Sequence, residues 1–280
     1  MYHTSCTLAR LTVGAAALAL CATAGAAQLN VTVKVENLAP TNSISFAPLH
    51  LGFNNGSFDA FNNGETATSP IVSVAEGGSG SAWQPAFAAA DPGATRGTIG
   101  GLLQPGESRS SSFLVDTMLN PFFTFAAMVV PSNDFFIGND SPTRFRLFDA
   151  AGNLLIGSIG QKARDIWDAG SELFDPLAAA FVGNNDLRTP QNGVVSFNFA
   201  ELAGFDGLTT GAGYVFASAL AADSDVYRIS FAVVPEPATS ALMAAGLFAA
   251  GWLSRRRRGQ PSARSEEHTS ELQSPCNLVC

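Results

Sequence analysis

Between Gln28 and Val234 the chain carries a single histidine, His50, and no cysteine, because its four cysteines are Cys6, Cys21, Cys276 and Cys280. A nucleophilic triad needs an imidazole base beside the nucleophile and an acid to orient it. One histidine preceded by Pro48 and Leu49 reads instead as a structural or surface residue. The segment has no Gly-x-Ser-x-Gly elbow, no His-Glu-x-x-His zinc helix and no Walker-type loop. What it does hold is carboxylate: nineteen Asp and Glu against nine Lys and Arg, a formal charge of about −10. Paired carboxylates can hydrolyse glycosidic bonds when geometry sets them apart correctly. An oxygen-only ligand supply suits zinc poorly. The same surplus favours cations and repels nucleic acid and anionic lipid.

The elements that must position these groups are strands. Leu29, Val31, Val33 and Val35 alternate with Asn30, Thr32, Lys34 and Glu36, the period-two signature of a strand with one buried face. Phe123, Phe125, Ala127 and Val129 predict a second, Phe145 and Leu147 a third, Val195, Phe197 and Phe199 a fourth, and Tyr227, Ile229, Phe231 and Val233 a fifth. Turn residues separate them, and Asp149 to Leu154 between two apolar stretches reads as a hairpin. Helical periodicity is confined to Ser69–Ala75 and Gln84–Ala90, and Gly77 to Ser81 is a connecting loop. Short strands with few helices predict an all-β, antiparallel sandwich or barrel. Without cysteines no disulfide can staple residues 28–234, so burial must stabilise them, and ~205 residues suffice for one core.

Both ends of the chain speak of export. Arg10, the apolar stretch Leu11 to Ala22 and the small residues Ala24-Gly25-Ala26 form a signal peptide over residues 1–27, with cleavage expected after Ala26 or Ala27. At the other end, Pro235-Glu236-Pro237, an apolar run from Ala238 to Leu253, and Arg255, Arg256, Arg257 and Arg258 resemble the PEP-CTERM sorting signal of Gram-negative bacteria over residues 235–259. That resemblance implies an exosortase-type processing enzyme as a partner. The run 238–253 is expected to be a transmembrane helix of roughly 24 Å, short of a ~30 Å hydrocarbon core but able to span if the bilayer thins. Arginines on the cytoplasmic flank would leave everything before Pro235 outside. The protein is therefore expected at the outer cell surface or beyond it, transiently anchored in the inner membrane before processing. Residues 260–280 read as a disordered tail, and from about Arg264 they resemble an in-frame translation of a sequencing adaptor. No site is built on His268, Cys276 or Cys280.

Three segments carry a second resemblance. Phe46-Ala47-Pro48-Leu49-His50 with Gly56-Ser57-Phe58-Asp59-Ala60-Phe61-Asn62-Asn63-Gly64-Glu65 resembles the opening of the spondin N-terminal domain as bacteria carry it. Met128-Val129-Val130-Pro131-Ser132-Asn133-Asp134-Phe135-Phe136-Ile137-Gly138 and Trp167-Asp168-Ala169-Gly170-Ser171-Glu172 are similar to two further segments of that family, in the same order. The resemblance implies a β-sandwich over residues 28–234 related to calcium-dependent membrane-binding modules, with one calcium ion near an end of the sheets. It assigns Asp134 and Asp168 as metal ligands and makes Asp116, eighteen residues before Asp134, the third, where the animal pattern has Glu. Glu172 and Asp140 are weaker candidates.

Two functions follow. The first is a non-enzymatic, calcium-stabilised binding or adhesion protein of the cell surface or matrix, with exopolysaccharide, biofilm or a surface glycan as its partner. The alternative is a secreted polysaccharide hydrolase using paired carboxylates.

Overall fold

The computed structural model describes residues 28–234 and 245–252. Residues 28–234 build two antiparallel sheets. The first is ordered β5 (Ser108–Asp116), β1 (Gln28–Asn37), β11 (Asp225–Val234), β8 (Ser158–Lys162). The second runs β10 (Ser196–Phe197), β9 (Trp167–Asp168), β7 (Phe135–Gly138), β6 (Phe122–Val130), β3 (Leu49–Asn54), β4 (Thr95–Ile99), with β2 (Ser45–Phe46) also paired to β6. Helices α1 (Ser69–Gly77) and α2 (Trp83–Ala90) are where periodicity predicts them.

The alternation in β1 translates directly into burial. Val31, Val33 and Val35 are buried while Asn30 and Lys34 are exposed. The valines join a core shared with the second sheet, in which Phe123 meets Phe231 with ring centroids 4.9 Å apart and Phe46 meets Tyr227 at 4.5 Å. The two sheets are thus layered face to face, as expected of a sandwich.

The centre of the second sheet is buried on its other face too. Every residue of β3 is buried, and so is every residue of β6 after Phe122. A separate apolar cluster of Phe58, Phe61, Trp83, Phe87, Ala126 and Trp167 lies there, to which α1 contributes Ile71 and Val74. Gly52 makes the close approach of α2 possible, since a Cβ at that position would overlap the Phe87 ring.

Two predicted strands are cut short. The stretch of Phe145 and Leu147 forms no ladder, and the bridges there are isolated ones of the neighbouring residues, Phe122 to Arg146 and Phe148 to Leu154. Along that edge of β6, β7 already pairs with Ala126 to Met128, and Pro121 beyond Phe122 has no N–H to continue a ladder. The Pro121 carbonyl instead accepts from Leu147 N at 2.7 Å and Phe148 N at 3.2 Å. The strand predicted through Val195, Phe197 and Phe199 shrinks to β10, because the chain turns at Asn198 into a 3-10 helix over Phe199–Phe205. The hairpin at Asp149–Leu154 forms, with Gly152 at φ 81° and Asp149 Oδ1 accepting from Ala151 N and Asn153 N.

Described by itself, 245–252 is helical, with Leu247, Phe248 and Trp252 exposed. Among the described residues no helix is long and apolar enough to cross a membrane. Half of the expected span 238–253 lies outside them, as do the expected signal segment 1–27 and the tail 260–280.

His50, on the helix-facing side of β3, is 4% exposed and ties the sheet to the end of α1: Nε2 is 3.0 Å from the Gly78 carbonyl, and Nδ1 is 3.1 Å from Thr98 Oγ1. A carbonyl can only accept, so Nε2 carries the proton and Nδ1 accepts from the threonine. Burial holds this histidine below its ordinary value of 6.5, against a smaller opposing effect of the Gly78 hydrogen bond. The unfolded chain therefore binds a proton more readily, and the stabilisation is fully present above pH 6.5 and lost as pH falls through the lower folded-state value. Denaturant melts between pH 7.5 and 5 should show a steeper loss of stability for the native chain than for His50→Gln.

Candidate functional site

The loop after β6 is fastened before it reaches its acid. Ser132 Oγ donates to Val129 O at 2.6 Å and accepts from Phe135 N at 3.1 Å, while Asn133 exchanges hydrogen bonds with the backbone of Asp175. Asp134 is consequently buried, at 2% exposure. Its Oδ2 accepts from Ser171 N at 2.6 Å, Glu172 N at 3.0 Å and Ser171 Oγ at 3.1 Å. This one carboxylate closes the second motif loop onto the first.

Asp168 ends β9, where it is the partner of both Phe135 in β7 and Ser196 in β10. Pairing with the residue after Asp134 draws the two acids to the same end of the sheet. Its Oδ1 accepts from Gly170 N at 2.7 Å and its Oδ2 from Asn198 Nδ2 at 3.1 Å. Gly170 has φ 65°, and a Cβ on it would lie 2.8 Å from the Val194 backbone, so the Asp-Ala-Gly turn requires glycine twice over. The preceding Trp167 is held by its Nε1 donating to Gly138 O at 3.1 Å and by stacking on Phe197 at 3.7 Å.

Burial, first, and the charge of Asp168, second, push the Asp134 carboxyl well above the usual carboxylate range, against the hydrogen bonds from Glu172 and Ser171. Glu172 is raised as well, by burial and then by Glu76, with Arg188 opposing. Its side chain is 1% exposed, and both carboxylate oxygens are buried without a hydrogen-bond donor. Arg188 Nη1 stands 3.5 Å from Glu172 Oε1 and 3.5 Å from Glu76 Oε2, so one cationic group already serves this end of the cluster.

Asp134, Asp168 and Glu172 are therefore gathered by two loops, whereas the other two candidates are not. Asp116 pairs with Gln28 at the far end of β5, and its Oδ1 accepts from Met118 N and Leu119 N, both at 3.1 Å. The nine residues of β6 then carry the chain roughly 26 Å before Asp134 is reached. Asp140 lies past the opposite end of β7 from Asp134, where with Glu65 it adds to burial in raising the Asp59 carboxyl. Glu76, Arg188 and Glu201 escaped the sequence reading, since nothing in their local pattern marks them. Glu201 joins Asp168, Glu172, Gln191 and Asn198 around a groove of about 630 Å³, with Phe174 on its wall.

As a ligand set the cluster is oxygen only, which suits a hard cation such as calcium, and the two Glu172 oxygens accept no hydrogen bond, with Arg188 as their ion-pair partner on Oε1. Among the described residues no three His, Cys, Asp or Glu converge closely enough to hold a metal ion by themselves. Carbonyls, amides or water would have to complete the shell of six to eight oxygens that calcium takes.

Fold and site together define an antiparallel, mostly β protein with two layered sheets and an acidic loop cluster at one sheet end. The chain further matches the PEP-CTERM protein-sorting motif over residues 233–258, a stretch that begins inside β11 and contains Pro235, Glu236, Pro237 and Arg255 to Arg258. All seven of these residues lie outside the described ones. No curated protein matches the chain. The motif marks an exported, surface-associated protein handled by an exosortase-type enzyme.

If the Asp134 latch holds the two loops, Asp134→Ala should cost about 2 kcal/mol in urea denaturation, because it strands two backbone donors and a hydroxyl. Asp134→Asn keeps an acceptor in place and should recover most of that loss.

Proposed function

We propose that the protein acts by binding rather than by turnover, as a cell-surface or matrix adhesion protein whose spondin-like sandwich is stabilised by one calcium ion. The observation that carries this reading is the convergence of Asp134 and Asp168, the acids of the two spondin-like loops, beside the donor-poor Glu172. Calcium would be held by carboxylates of this locus only together with backbone carbonyls, amides or water, since among the described residues no three of the acids converge on one point, and it would compensate charge that burial otherwise disfavours. It would fix the loops that border the groove, where an extracellular polysaccharide or surface glycan is the proposed partner. The exported location fits such a role, and the membrane segment at 238–253 would serve as an address removed on processing.

Calcium is expected to raise the melting temperature of the purified chain, and chelator to lower it again. Asp134→Asn should preserve the fold and abolish the calcium-induced shift, and Asp168→Ala should weaken it at least tenfold in calcium concentration. An unchanged melting temperature in the native chain at millimolar calcium would sink the metal assignment.

A second reading, polysaccharide hydrolysis by paired carboxylates, draws on the groove itself, whose wall carries Asp168, Glu172 and Glu201. Binding predicts retention of oligosaccharides on a glycan array with no reducing ends released. Release that disappears in Glu201→Gln would establish hydrolysis instead.

A further inference from the structure

The sheet end opposite the acidic loops has a composition of its own. Asn30 of β1 is flanked across the first sheet by Leu114 of β5 and Val234 of β11. Residues directly opposite one another share a face of the sheet, and this row faces away from the core, with Leu114 56% and Val234 42% exposed. Just beyond it the β5–β6 turn projects Met118 and Leu119, 50% and 64% exposed. Asp116 Oδ1 caps the amides of both and so fixes how the turn presents them. The next row inward, Ser112, Thr32 and Ala232, is uncharged. Lys34, Glu36 and Arg228 appear only toward the other end of the strands, where Lys34 and Glu36 pair at 2.7 Å. Asp116, at the apolar end, has its carboxylate turned to the turn amides, and Asp149 follows Phe148, whose amide donates to the Pro121 carbonyl of the same turn at 3.2 Å.

This end is also where the chain leaves the fold. Gln28 and Val234 lie on adjacent strands within two register positions of the Asp116 level, and the sequence runs from Val234 straight into Pro235 and the apolar stretch 238–253. Four exposed apolar side chains therefore surround the exit toward a segment whose composition suits a bilayer. A surface with a formal charge of about −10 gains nothing from anionic headgroups, so attraction must come from these side chains entering the interface.

We propose that the Met118-Leu119 turn, with Leu114 and Val234, is a membrane-resting edge that inserts into the outer face of a phospholipid bilayer while the C-terminal segment is still attached. It holds the domain in one orientation, with the acidic loops pointing away from the lipid. This rests on the reading of 238–253 as a membrane segment.

The test uses the full chain with Cys6, Cys21, Cys276 and Cys280 replaced by serine, reconstituted in phosphatidylcholine vesicles and nitroxide-labelled at one introduced cysteine. The expected result for Leu119→Cys is a several-fold preference for collisions with oxygen over an aqueous nickel chelate. Ser108→Cys, at the opposite end of β5, should show the reverse. Leu242→Cys reports the C-terminal segment itself. A lipid-exposed label at 242 with an aqueous one at 119 overturns the membrane-resting edge and leaves the segment reading intact, whereas an aqueous label at 242 overturns both. A label at 119 that is aqueous in vesicles and becomes immobilised only on adding an exosortase-type enzyme assigns the turn to protein contact and likewise overturns the lipid proposal.

Discussion

Burial of the central strands of the second sheet, β3, β6 and β7, on both faces is the constraint from which the rest of the architecture follows. Phe123, Phe125, Ala127 and Val129 of β6 face the first sheet, while Ala126 faces the helices. A strand so enclosed has no solvent side on which to place polar residues, and the few it carries must be paired. Asn54 Nδ2 donates to Thr124 Oγ1 at 3.1 Å, and His50 bridges to Thr98 and Gly78. Gly52 is a position where packing demands the smallest residue, because there the Phe87 ring of α2 rests on the backbone. Within this layered core an unpaired polar group would cost on the order of 1–3 kcal/mol.

The acidic loops depend on that rigidity. Asp134 follows β6 with no slack, because Ser132 and Asn133 are already tied, and its carboxylate reaches the amides of Ser171 and Glu172 only because β7 and β9 hold the two segments in register. Three donors on one oxygen favour the ionised form, while burial and Asp168 oppose it, and the opposing effects prevail. Nearby, Glu172 has only Arg188, shared with Glu76, to offset its charge. The two buried Glu172 oxygens thus accept no hydrogen bond, a condition that the proposed calcium ion would relieve.

The strands that alternate cleanly were legible because one face meets the core and the other meets water, as in β1 and β11. β3 was not, since burial of His50, Gly52 and Asn54 under the helices erases the polar side of the pattern. β5 escaped for the opposite reason: Ser108 to Ser112 is a polar run that forms a strand because β1 offers it a ladder, not because it has apolar residues to bury. Phe145 and Leu147 had the right alternation and lacked a free edge to join. Among the acids, the motif positions Asp134 and Asp168 were found from sequence and do meet. Asp116, eighteen residues before Asp134 along the chain, lies at the other end of the sheets, because the turn at residues 117–121 reverses the chain and β6 then carries it away.

The amino-acid sequence by itself determined the C-terminal sorting motif, the lack of cysteine between residues 28 and 234, the acidic balance and the predominance of strands. These are properties of composition and local periodicity, which survive without knowledge of any partner strand. Only the tertiary structure decided which carboxylates converge, that Glu172 lacks donors, that Arg188 serves both Glu172 and Glu76, and which sheet end presents Met118 and Leu119. The physical reason is that these facts depend on register and on which end of a strand a residue occupies. Glu76, Asp134, Glu172 and Arg188 are brought together across more than a hundred residues by pairings that no local window contains.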